Sequence, residues 1–529
     1  MNRKLLLIIF GLSGMTALIY EIIWIRPLSL VFGTTIYAVS TIIAAFIFGL
    51  AIGSWIAGRY ADRMNSPLKY FAFVQVGIGF FGILLLPIFS YLPGMYLEIF
   101  KITFPNQHLF MFIQVLMSML LISIPAALMG STLPIMMKEY SEKFSTIGKD
   151  VGKLDAVNST GAMIGTLAAG FLLIPVMGIQ NSIIITALIN VGIGMVILTG
   201  KKYLKYRYLS FLAVGVILFV VFFPSYDAQT MNYGIFFHVD PELELEDINS
   251  YLEKEEILSY EESLYSTVMV TSIDETKILG INGKTQCSTD KELVIGLEKL
   301  AFFPYDLFEY NYGNPENALN IGLGCGITSD WLSHRVQTTT LEIDPAVARA
   351  STYFFEKIDH NLIIDDARNW LLRNDLKFDI ITSEPSDPFQ NQGSFFTREF
   401  FLLANDRLSE NGIISQWVPI YEMTLDDLNI FYNTFHSVFP YVYVYQMEEN
   451  DFSQLVFIGS QKQLKIKENN FYLISYKDIV QVKTVLNTDD RPTIEFSTAI
   501  NFQNPSQPQE RIKIMFDWLK VNPERFIKQ

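Results

Sequence analysis

Two hydrophobic patterns divide the chain. The first 223 residues contain seven long apolar blocks, at 5–25, 37–57, 70–92, 109–136, 157–177, 182–198 and 208–223. Most of these blocks reach the roughly 20 residues that a helix needs to cross the hydrocarbon core of a bilayer. The later residues instead alternate short apolar runs with amphipathic segments. The two patterns predict a seven-span α-helical membrane domain over 1–223, followed by a domain of strands and helices.

Small residues and one acid stand out within the apolar blocks. Small residues recur at positions 45, 49, 53 and 57, and Gly161 and Gly165 repeat that spacing. Such a stripe lets two helices pack closely, and a transport path is the alternative meaning. Glu21 lies inside the first block, where an acid is costly and often functional; a place near the interface or a pairing with Arg26 is the other interpretation.

Basic residues predict the orientation of the membrane domain. They cluster before the first block and after the second, fourth and sixth blocks, whereas the intervening loops carry few of them. The positive-inside rule therefore places the N-terminus in the cytoplasm. No small-residue cleavage site follows the first block, which we interpret as an anchor and not as a signal peptide.

The remaining residues divide into four predicted segments. An acidic linker or cap covers 224–262, and a small β subdomain covers 263–310, with strands at 264–272 and 277–281 and a helix at 292–303. A Rossmann-like domain covers 311–500, and 501–529 form a C-terminal tail. Within the Rossmann-like domain, the predicted helices lie at 345–358, 367–373, 397–408 and 425–438. They alternate with predicted strands at 361–364, 378–383, 412–417, 441–446 and 454–458. This alternation predicts a mostly parallel sheet that binds ligands at the C-terminal ends of its strands.

The stretch 318–344 has the order strand, glycine turn, helix, strand, acid. Its glycines are Gly322, Gly324 and Gly326, and the second strand ends on Glu342. Glycines let the backbone approach a ligand, and an acid at that strand end can accept both hydroxyls of a ribose. The pattern predicts a nucleotide site, although similar glycine spacing also occurs in plain strand-to-helix turns.

More acids follow the next two strands. Asp366 follows the third strand, where a carboxylate can accept an amino proton from an adenine. Glu384 and Asp387 follow the fourth strand, three positions apart in a loop flanked by prolines. Paired acids there can hold an ammonium and accept a proton from it. The alternative is that Ser386 and Asp387 cap a turn.

The two parts of the chain differ in the sign of their net charge as well as in hydrophobicity. The first 223 residues hold 15 Lys and Arg against 7 Asp and Glu, whereas the rest hold 24 against 47. An acidic domain repels nucleic acid and favours cationic ligands, although simple solubility also explains the charge. The two cysteines, Cys287 and Cys325, predict neither a disulfide framework nor a metal site.

These motifs together resemble the spermidine synthase family of aminopropyltransferases. The motifs that carry the resemblance are 322–326, Glu342-Ile343-Asp344, Asp365-Asp366-Ala367 and 384–388. The segment 281–287 is similar to the hairpin that precedes the gatekeeper region of the family, and 487–492 to its pattern near the C-terminus. Residues 1–223 look like a transporter fragment, so the whole chain resembles membrane-bound spermidine synthase-like proteins.

The resemblance implies a fold, a reaction and a set of site residues. The fold would be a class I methyltransferase-type Rossmann-like domain behind a β-hairpin subdomain. The enzyme would transfer an aminopropyl group from decarboxylated S-adenosylmethionine to an amine such as putrescine, release methylthioadenosine and need no metal. The family pattern would place the proton acceptor at Glu384, amine-binding groups at Asp387 and Gln286, and the donor site at Gly322, Gly324, Cys325, Gly326, Glu342, Ile343, Asp366 and Ala367.

Two positions depart from the family pattern. Cys325 stands where the family usually has an Asp that binds the aminopropyl ammonium, and Glu384 stands where it has the catalytic Asp. Two other hypotheses therefore stay open. One is another S-adenosylmethionine-dependent transferase, acting on a lipid or a small amine. The other is a non-catalytic transporter or sensor that kept the adenosyl-binding fold.

The expected partners are a small cationic amine and the lipid bilayer, with a homo-oligomer as a further possibility and no nucleic acid. Seven spans with a cytoplasmic N-terminus would put the acidic domain outside the cytoplasm. The adenosyl donor is made inside the cell, so either a span is miscounted or the domain uses exported ligand.

Overall fold

The chain forms two compact units, Met1–Leu252 and Glu253–Gln529. The computed structural model describes residues 2–141, 146–199, 226–385, 392–448, 451–467, 473–474 and 485–502, together with Gly215, Leu218 and Pro388.

All the regular secondary structure in the described residues of the first unit is helical. Its long helices are α1 (Arg3–Phe32), α2 (Ile36–Ala61), α3 (Pro67–Thr103), α4 (Gln107–Tyr140), α5 (Ile147–Ala168) and α6 (Ile174–Leu198). A π-helical turn, Ala169–Leu173, joins α5 to α6. The short helices α7 (Ala228–Asn232), α8 (Ile235–His238) and α9 (Leu245–Lys254) follow within the stretch that the sequence predicted as a linker or cap.

Five helical segments in the described part of this unit are long and apolar enough to span a membrane. The last of them is the 52-residue run Ile147–Leu198, which contains two of the predicted blocks. Gly178 separates these blocks with a left-handed φ of 77°, so the run bends where the sequence placed a boundary. The seventh predicted block, 208–223, lies almost wholly outside the described residues.

Small residues pack the helices of the first unit together, as their spacing predicted. A Cβ added at Gly53 of α2 would lie 1.8 Å from the carbonyl oxygen of Ala127 in α4. A Cβ added at Gly161 of α5 would lie 1.9 Å from the carbonyl oxygen of Gly11 in α1. Only glycine allows the two backbones to come this close.

The second unit begins with a four-stranded antiparallel sheet. Its strands are β1 (Glu256–Glu262), β2 (Thr267–Ile273), β3 (Thr276–Ile281) and β4 (Lys284–Ser288), in that spatial order. The predicted turns are confirmed, because Asp274, Glu275, Asn282 and Gly283 all have positive φ and close two-residue hairpins. The charged strand β1 was not predicted; it pairs with β2 at the sheet edge, where polar side chains reach solvent.

A helix, α10 (Lys291–Tyr312), leads to the large sheet. Parallel strands form the part that contains the site: β5 (Asn317–Ile321), β6 (Gln337–Glu342), β7 (Asn361–Ile364), β8 (Phe378–Ser383) and β9 (Leu408–Pro419). The antiparallel strands β10 (Tyr441–Glu448), β11 (Asp451–Ser460) and β12 (Leu473–Ile474) extend it. The full order is β12-β10-β11-β9-β8-β5-β6-β7, so the chain reverses direction across the sheet between β5 and β8. Ligands of such sheets bind at this switch point.

Helices cover both faces of the sheet. They are α11 (Ile327–Ser333), α12 (Pro345–Ala350), α13 (Ala367–Arg373), α14 (Arg398–Asn405), α15 (Leu425–His436) and α16 (Thr493–Phe502). On one face, Phe401 of α14 packs edge-on against Phe431 and Phe435 of α15. The Rossmann-like fold class is therefore confirmed.

One predicted helix is much shorter than expected. The segment 345–358 was predicted as helical throughout, but α12 ends at Ala350 and a short 3-10 turn, Ser351–Tyr353, follows. Phe354 and Phe355 then pack against the apolar core between the first sheet and the glycine loop. Burial of these aromatic rings outweighs local helix propensity.

Candidate active site

A cavity of about 460 Å³ lies at the C-terminal ends of the parallel strands. Its walls come from the glycine loop after β5, the ends of β6, β7 and β8, and strand β4 of the small sheet. This volume falls within the range that holds a small-molecule ligand or cofactor.

The glycine loop forms one wall of the cavity. Gly322, Gly324 and Gly326 have φ values of 93°, 53° and 94°, a region that residues with a Cβ rarely adopt. A Cβ at Gly322 would lie 3.3 Å from the carbonyl oxygen of Glu384, so the loop also packs closely on the residue after β8. Gly322 and Gly324 line the cavity, whereas Gly326 caps the start of α11.

Glu342 joins the end of β6 to the glycine loop. Its carboxylate is almost fully buried and accepts hydrogen bonds from the backbone N–H of Leu323 over 3.0 Å and of Asp344 over 2.9 Å. Burial raises the pKa of Glu342 above its usual value, and these two N–H donors only partly oppose that rise. Each carboxylate oxygen has a second lone pair, so a fixed Glu342 can still accept ribose hydroxyls.

Asp344 has a structural contact that the sequence did not reveal. Its buried Oδ2 accepts hydrogen bonds from the hydroxyls of Ser263 and Ser266, each over 2.6 Å, and its Oδ1 accepts from the backbone N–H of Ala346. Asp344 therefore fastens the small sheet to the large one beside the cavity and caps α12. The serines precede Asp344 by 81 and 78 positions, and no local pattern indicates their pairing.

The two acids after β7 have different partners. Asp365 forms an ion pair with Arg373, the last residue of α13. The Oδ1 of Asp366 accepts from the backbone N–H of Asn369 over 2.8 Å and caps α13. Asp366 and Ala367 both line the cavity, at the position where the resemblance places the adenine.

Glu384 lies at the end of β8, partly buried in the cavity wall. Its Oε2 accepts a hydrogen bond from the hydroxyl of Thr328 over 3.1 Å. Burial raises the pKa of Glu384 to about 7, and the hydrogen bond from Thr328 opposes that rise. A carboxyl with this pKa exchanges protons near neutral pH, as a general base must. Its predicted companion, Asp387, lies outside the described residues.

The prediction that the two cysteines give no disulfide framework was wrong. Cys287 of β4 and Cys325 of the glycine loop form a disulfide with their Cα atoms 6.2 Å apart. They are 38 positions apart in the sequence and meet only because β4 lies beside the loop. The disulfide lines the cavity and ties the two sheets together there.

The structure brings nearly all of the predicted site residues to one cavity. Those that line it are Gln286, Gly322, Gly324, Cys325, Glu342, Ile343, Asp366, Ala367 and Glu384. The sequence missed Thr328, Lys284 and Tyr421, which line it too. The Nζ of Lys284 donates to the hydroxyl of Tyr421 over 3.1 Å, and the two residues are 137 positions apart.

The domain identity follows from a match to a family model. Residues 259–471, which contain this cavity, match the spermine/spermidine synthase domain. The C-terminal half of the chain therefore contains a spermine/spermidine synthase domain. The match includes all of the small sheet except the first three residues of β1, together with the parallel part of the large sheet.

Proteins similar to this chain carry names from the same family. A polyamine aminopropyltransferase of Oceanobacillus iheyensis is 22% identical over 421 residues, which cover 76% of this chain and 75% of that protein. A polyamine aminopropyltransferase of Corynebacterium efficiens is 24% identical over 434 residues, covering 78% of this chain and 76% of that protein. Both alignments are longer than the spermine/spermidine synthase domain alone.

Two solved structures cover about half of the chain. A spermidine synthase in complex with the transition-state analogue AdoDATO is 19% identical, covers 49% of this chain and 89% of its own, and has a TM-score of 0.34. A spermidine synthase from Thermotoga maritima is 18% identical, and the alignment covers 49% of this chain and 88% of that protein, with a TM-score of 0.33.

Proposed function

We propose that this protein is a membrane-anchored aminopropyltransferase. It would transfer the aminopropyl group of decarboxylated S-adenosylmethionine to an amine such as putrescine and release methylthioadenosine. The observation that carries the proposal is Glu384, a carboxyl whose pKa of about 7 suits a general base, in one cavity with the glycine loop and Glu342 of a spermine/spermidine synthase domain.

The proposed reaction is a direct displacement. Glu384 takes a proton from the ammonium of the acceptor, which frees the nitrogen lone pair. The nitrogen attacks the aminopropyl carbon that is bonded to the sulfonium, so a C–N bond forms and the C–S bond breaks. The bonding electrons go to sulfur, which leaves as the neutral thioether of methylthioadenosine. The protein need only align the two reactants and accept the proton.

We infer the role of each cavity residue from its position in the cavity wall. Glu342 would accept the ribose hydroxyls, and Asp366 and Ala367 would hold the adenine, with the glycine loop and Ile343 against the nucleoside. Gln286 would bind the amine, and the resemblance gives the same role to Asp387, which lies outside the described residues. Five described carboxylates line the cavity, from Glu342, Asp344, Asp365, Asp366 and Glu384, and this supports a cationic substrate.

The disulfide bears on the choice of donor. The family pattern has a carboxylate in the glycine loop at the position of Cys325, whereas here the sulfur of that residue is bonded to Cys287. This difference favours, as the second candidate, an enzyme that uses S-adenosylmethionine itself and transfers its methyl group. The nucleoside product separates the two reactions, because methyl transfer leaves S-adenosylhomocysteine.

We also propose that the first unit anchors the protein in the cell membrane by several passes, with the N-terminus in the cytoplasm. The outer surfaces of its helices support this, because large apolar side chains such as Ile47, Trp55 and Phe112 are exposed there. The disulfide favours a C-terminal unit outside the cytoplasm, since disulfides persist in oxidising compartments.

A product assay on the full-length protein in detergent tests the proposed function. The protein receives either decarboxylated S-adenosylmethionine or S-adenosylmethionine, each with putrescine, and nucleosides are identified by mass spectrometry. We expect methylthioadenosine from the decarboxylated donor, only when putrescine is present. S-adenosylhomocysteine from the other donor would establish methyl transfer instead, and no nucleoside from either donor would contradict both reactions with this amine.

A further inference from the structure

We propose that Thr328 is a positioning residue that holds the Glu384 carboxylate in its proton-accepting form. The inference rests on the proposed function, in which Glu384 accepts the proton of the amine. Thr328 lies in the first turn of α11, directly after the glycine loop, and is 2% exposed. It reaches Glu384 across 56 positions of sequence.

The geometry gives the hydroxyl of Thr328 two acceptors. It lies 3.1 Å from Oε2 of Glu384 and 3.5 Å from the backbone carbonyl oxygen of Leu297 in α10. A hydroxyl has one proton and two lone pairs, so it donates to one acceptor at a time. The shorter contact goes to the carboxylate, and a hydrogen bond to a charged acceptor is the stronger of the two.

The two acceptors let Thr328 follow the protonation of Glu384. When Glu384 is ionised, the hydroxyl donates to its carboxylate and stabilises the charge. When Glu384 is protonated, its own O–H can donate to Thr328, whose hydroxyl then turns toward Leu297. Every state keeps a buried hydroxyl paired, and the ionised state has the charge-assisted bond.

Thr328 opposes an environment that favours the neutral acid. Burial raises the pKa of Glu384, and the hydrogen bond from Thr328 is the contribution that lowers it. The other ionisable groups on the cavity wall come from several elements: Lys284 of β4, Tyr265, Glu342 of β6, Asp344, Asp365, Asp366 and Tyr421. Asp387, three positions after Glu384 in the sequence, lies outside the described residues.

The test measures the protonation of Glu384 without turnover. Full-length protein in detergent is titrated with pH while infrared difference spectra record the carbonyl stretch of the neutral acid. The Glu384→Gln variant identifies that band by its loss. Three variants change position 328. Thr328→Val removes the hydroxyl and keeps the shape of the side chain, and Thr328→Ala removes the hydroxyl in case the valine variant does not fold. Thr328→Ser retains the hydroxyl. Thr338→Val is the matched control, because Thr338 is equally buried and its hydroxyl bonds to Val336 instead.

We expect the midpoint of the Glu384 band to move upward by about one pH unit in Thr328→Val and Thr328→Ala, and to stay at the wild-type value in Thr328→Ser and Thr338→Val. The rising limb of the pH profile of kcat should move with it. An unmoved midpoint in both removal variants, or an equal shift in Thr338→Val, would overturn the inference. A moved midpoint in a protein that forms no methylthioadenosine would keep the role of Thr328 and reject the proposed function, whereas an unmoved midpoint in an active enzyme would do the reverse.

Discussion

The backbone N–H of Leu323 donates to Oε2 of Glu342 over 3.0 Å, so the glycine loop is fixed to the acid at the end of the next strand. The same carboxylate accepts from the N–H of Asp344 through its other oxygen. These two donors orient Glu342 before any ligand arrives. A pre-oriented acid binds a ribose without first losing side-chain freedom.

Replacing Glu342 should therefore weaken nucleoside binding. In Glu342→Gln the neutral amide loses the charge-assisted hydrogen bonds to the ribose, and we expect methylthioadenosine to bind about tenfold to a hundredfold more weakly by calorimetry. Glu356→Gln is the matched control, because Glu356 is exposed and does not line the cavity. Equal affinities of wild type and Glu342→Gln would remove Glu342 from the proposed donor site.

Glu384 should destabilise the folded protein at alkaline pH. Its folded pKa of about 7 lies above its ordinary value, so the folded state holds this proton more tightly than the unfolded state. The stability that comes from the protonated form is present at pH 4 and is lost as the pH rises through 7. The neutral amide in Glu384→Gln escapes this loss. We expect it to stabilise the protein by about 1–3 kcal/mol at pH 8 and by little at pH 5.

Thermal unfolding of wild type and Glu384→Gln at the two pH values checks this expectation. Glu410→Gln is the control, because Glu410 is a surface carboxyl whose pKa is lowered by Lys462 and not raised by burial. A difference between wild type and Glu384→Gln that does not grow from pH 5 to pH 8 would mean that burial does not raise the pKa of Glu384.

The disulfide between Cys287 and Cys325 should stabilise the second unit. It closes a loop of 38 positions, for which the loss of chain entropy in the unfolded state corresponds to about 4 kcal/mol. We expect a reductant to lower the unfolding midpoint of the wild type. The double variant Cys287→Ser, Cys325→Ser should start at the lower midpoint and not respond to reductant.

Thiol trapping counts the free thiols directly, and the count is simple because the sequence has only 2 cysteines. Alkylation of intact cells with a maleimide polymer, followed by denaturing electrophoresis, should leave the protein unlabelled until it is reduced. Two labelled thiols before reduction would show that the bond is absent in the cell and would remove the support for an oxidising compartment.

The contact between Gly53 and Ala127 should tolerate no side chain. In Gly53→Leu the added Cβ meets the carbonyl oxygen of Ala127, so α2 and α4 must separate, and we expect a loss of at least about 3 kcal/mol in the stability of the first unit. Gly58→Leu is the control on the same helix, since nothing lies within 4 Å of its added Cβ. Thermal unfolding in detergent compares the two variants, and equal midpoints would contradict the close packing.

Sequence reasoning found the parts of the site that depend on short stretches of chain. Gly322, Glu342 and Asp366 each stand next to a strand whose apolar pattern is clear, and parallel strand ends meet at one edge of a sheet. The strands β7 and β8 and the helix α13 were predicted with their observed bounds for the same reason.

Contacts between distant segments were not predictable from local patterns. Thr328 has no feature in the sequence that separates it from a threonine in an ordinary helix turn, and its partner is 56 positions away. The same is true of the disulfide and of Asp344 with its two serines. Each of these contacts depends on how the small sheet or the strand β8 lies against the glycine loop, which only the folded chain determines.

The most direct test of the proposed function is a mass balance with nitrogen-labelled putrescine and decarboxylated S-adenosylmethionine. We expect the full-length protein to form methylthioadenosine and labelled spermidine in equal amounts, and both products to fall by at least about a hundredfold in Glu384→Gln, because the general base is lost. Methylthioadenosine without labelled spermidine, or product formation that is unchanged in Glu384→Gln, would contradict aminopropyl transfer by this cavity.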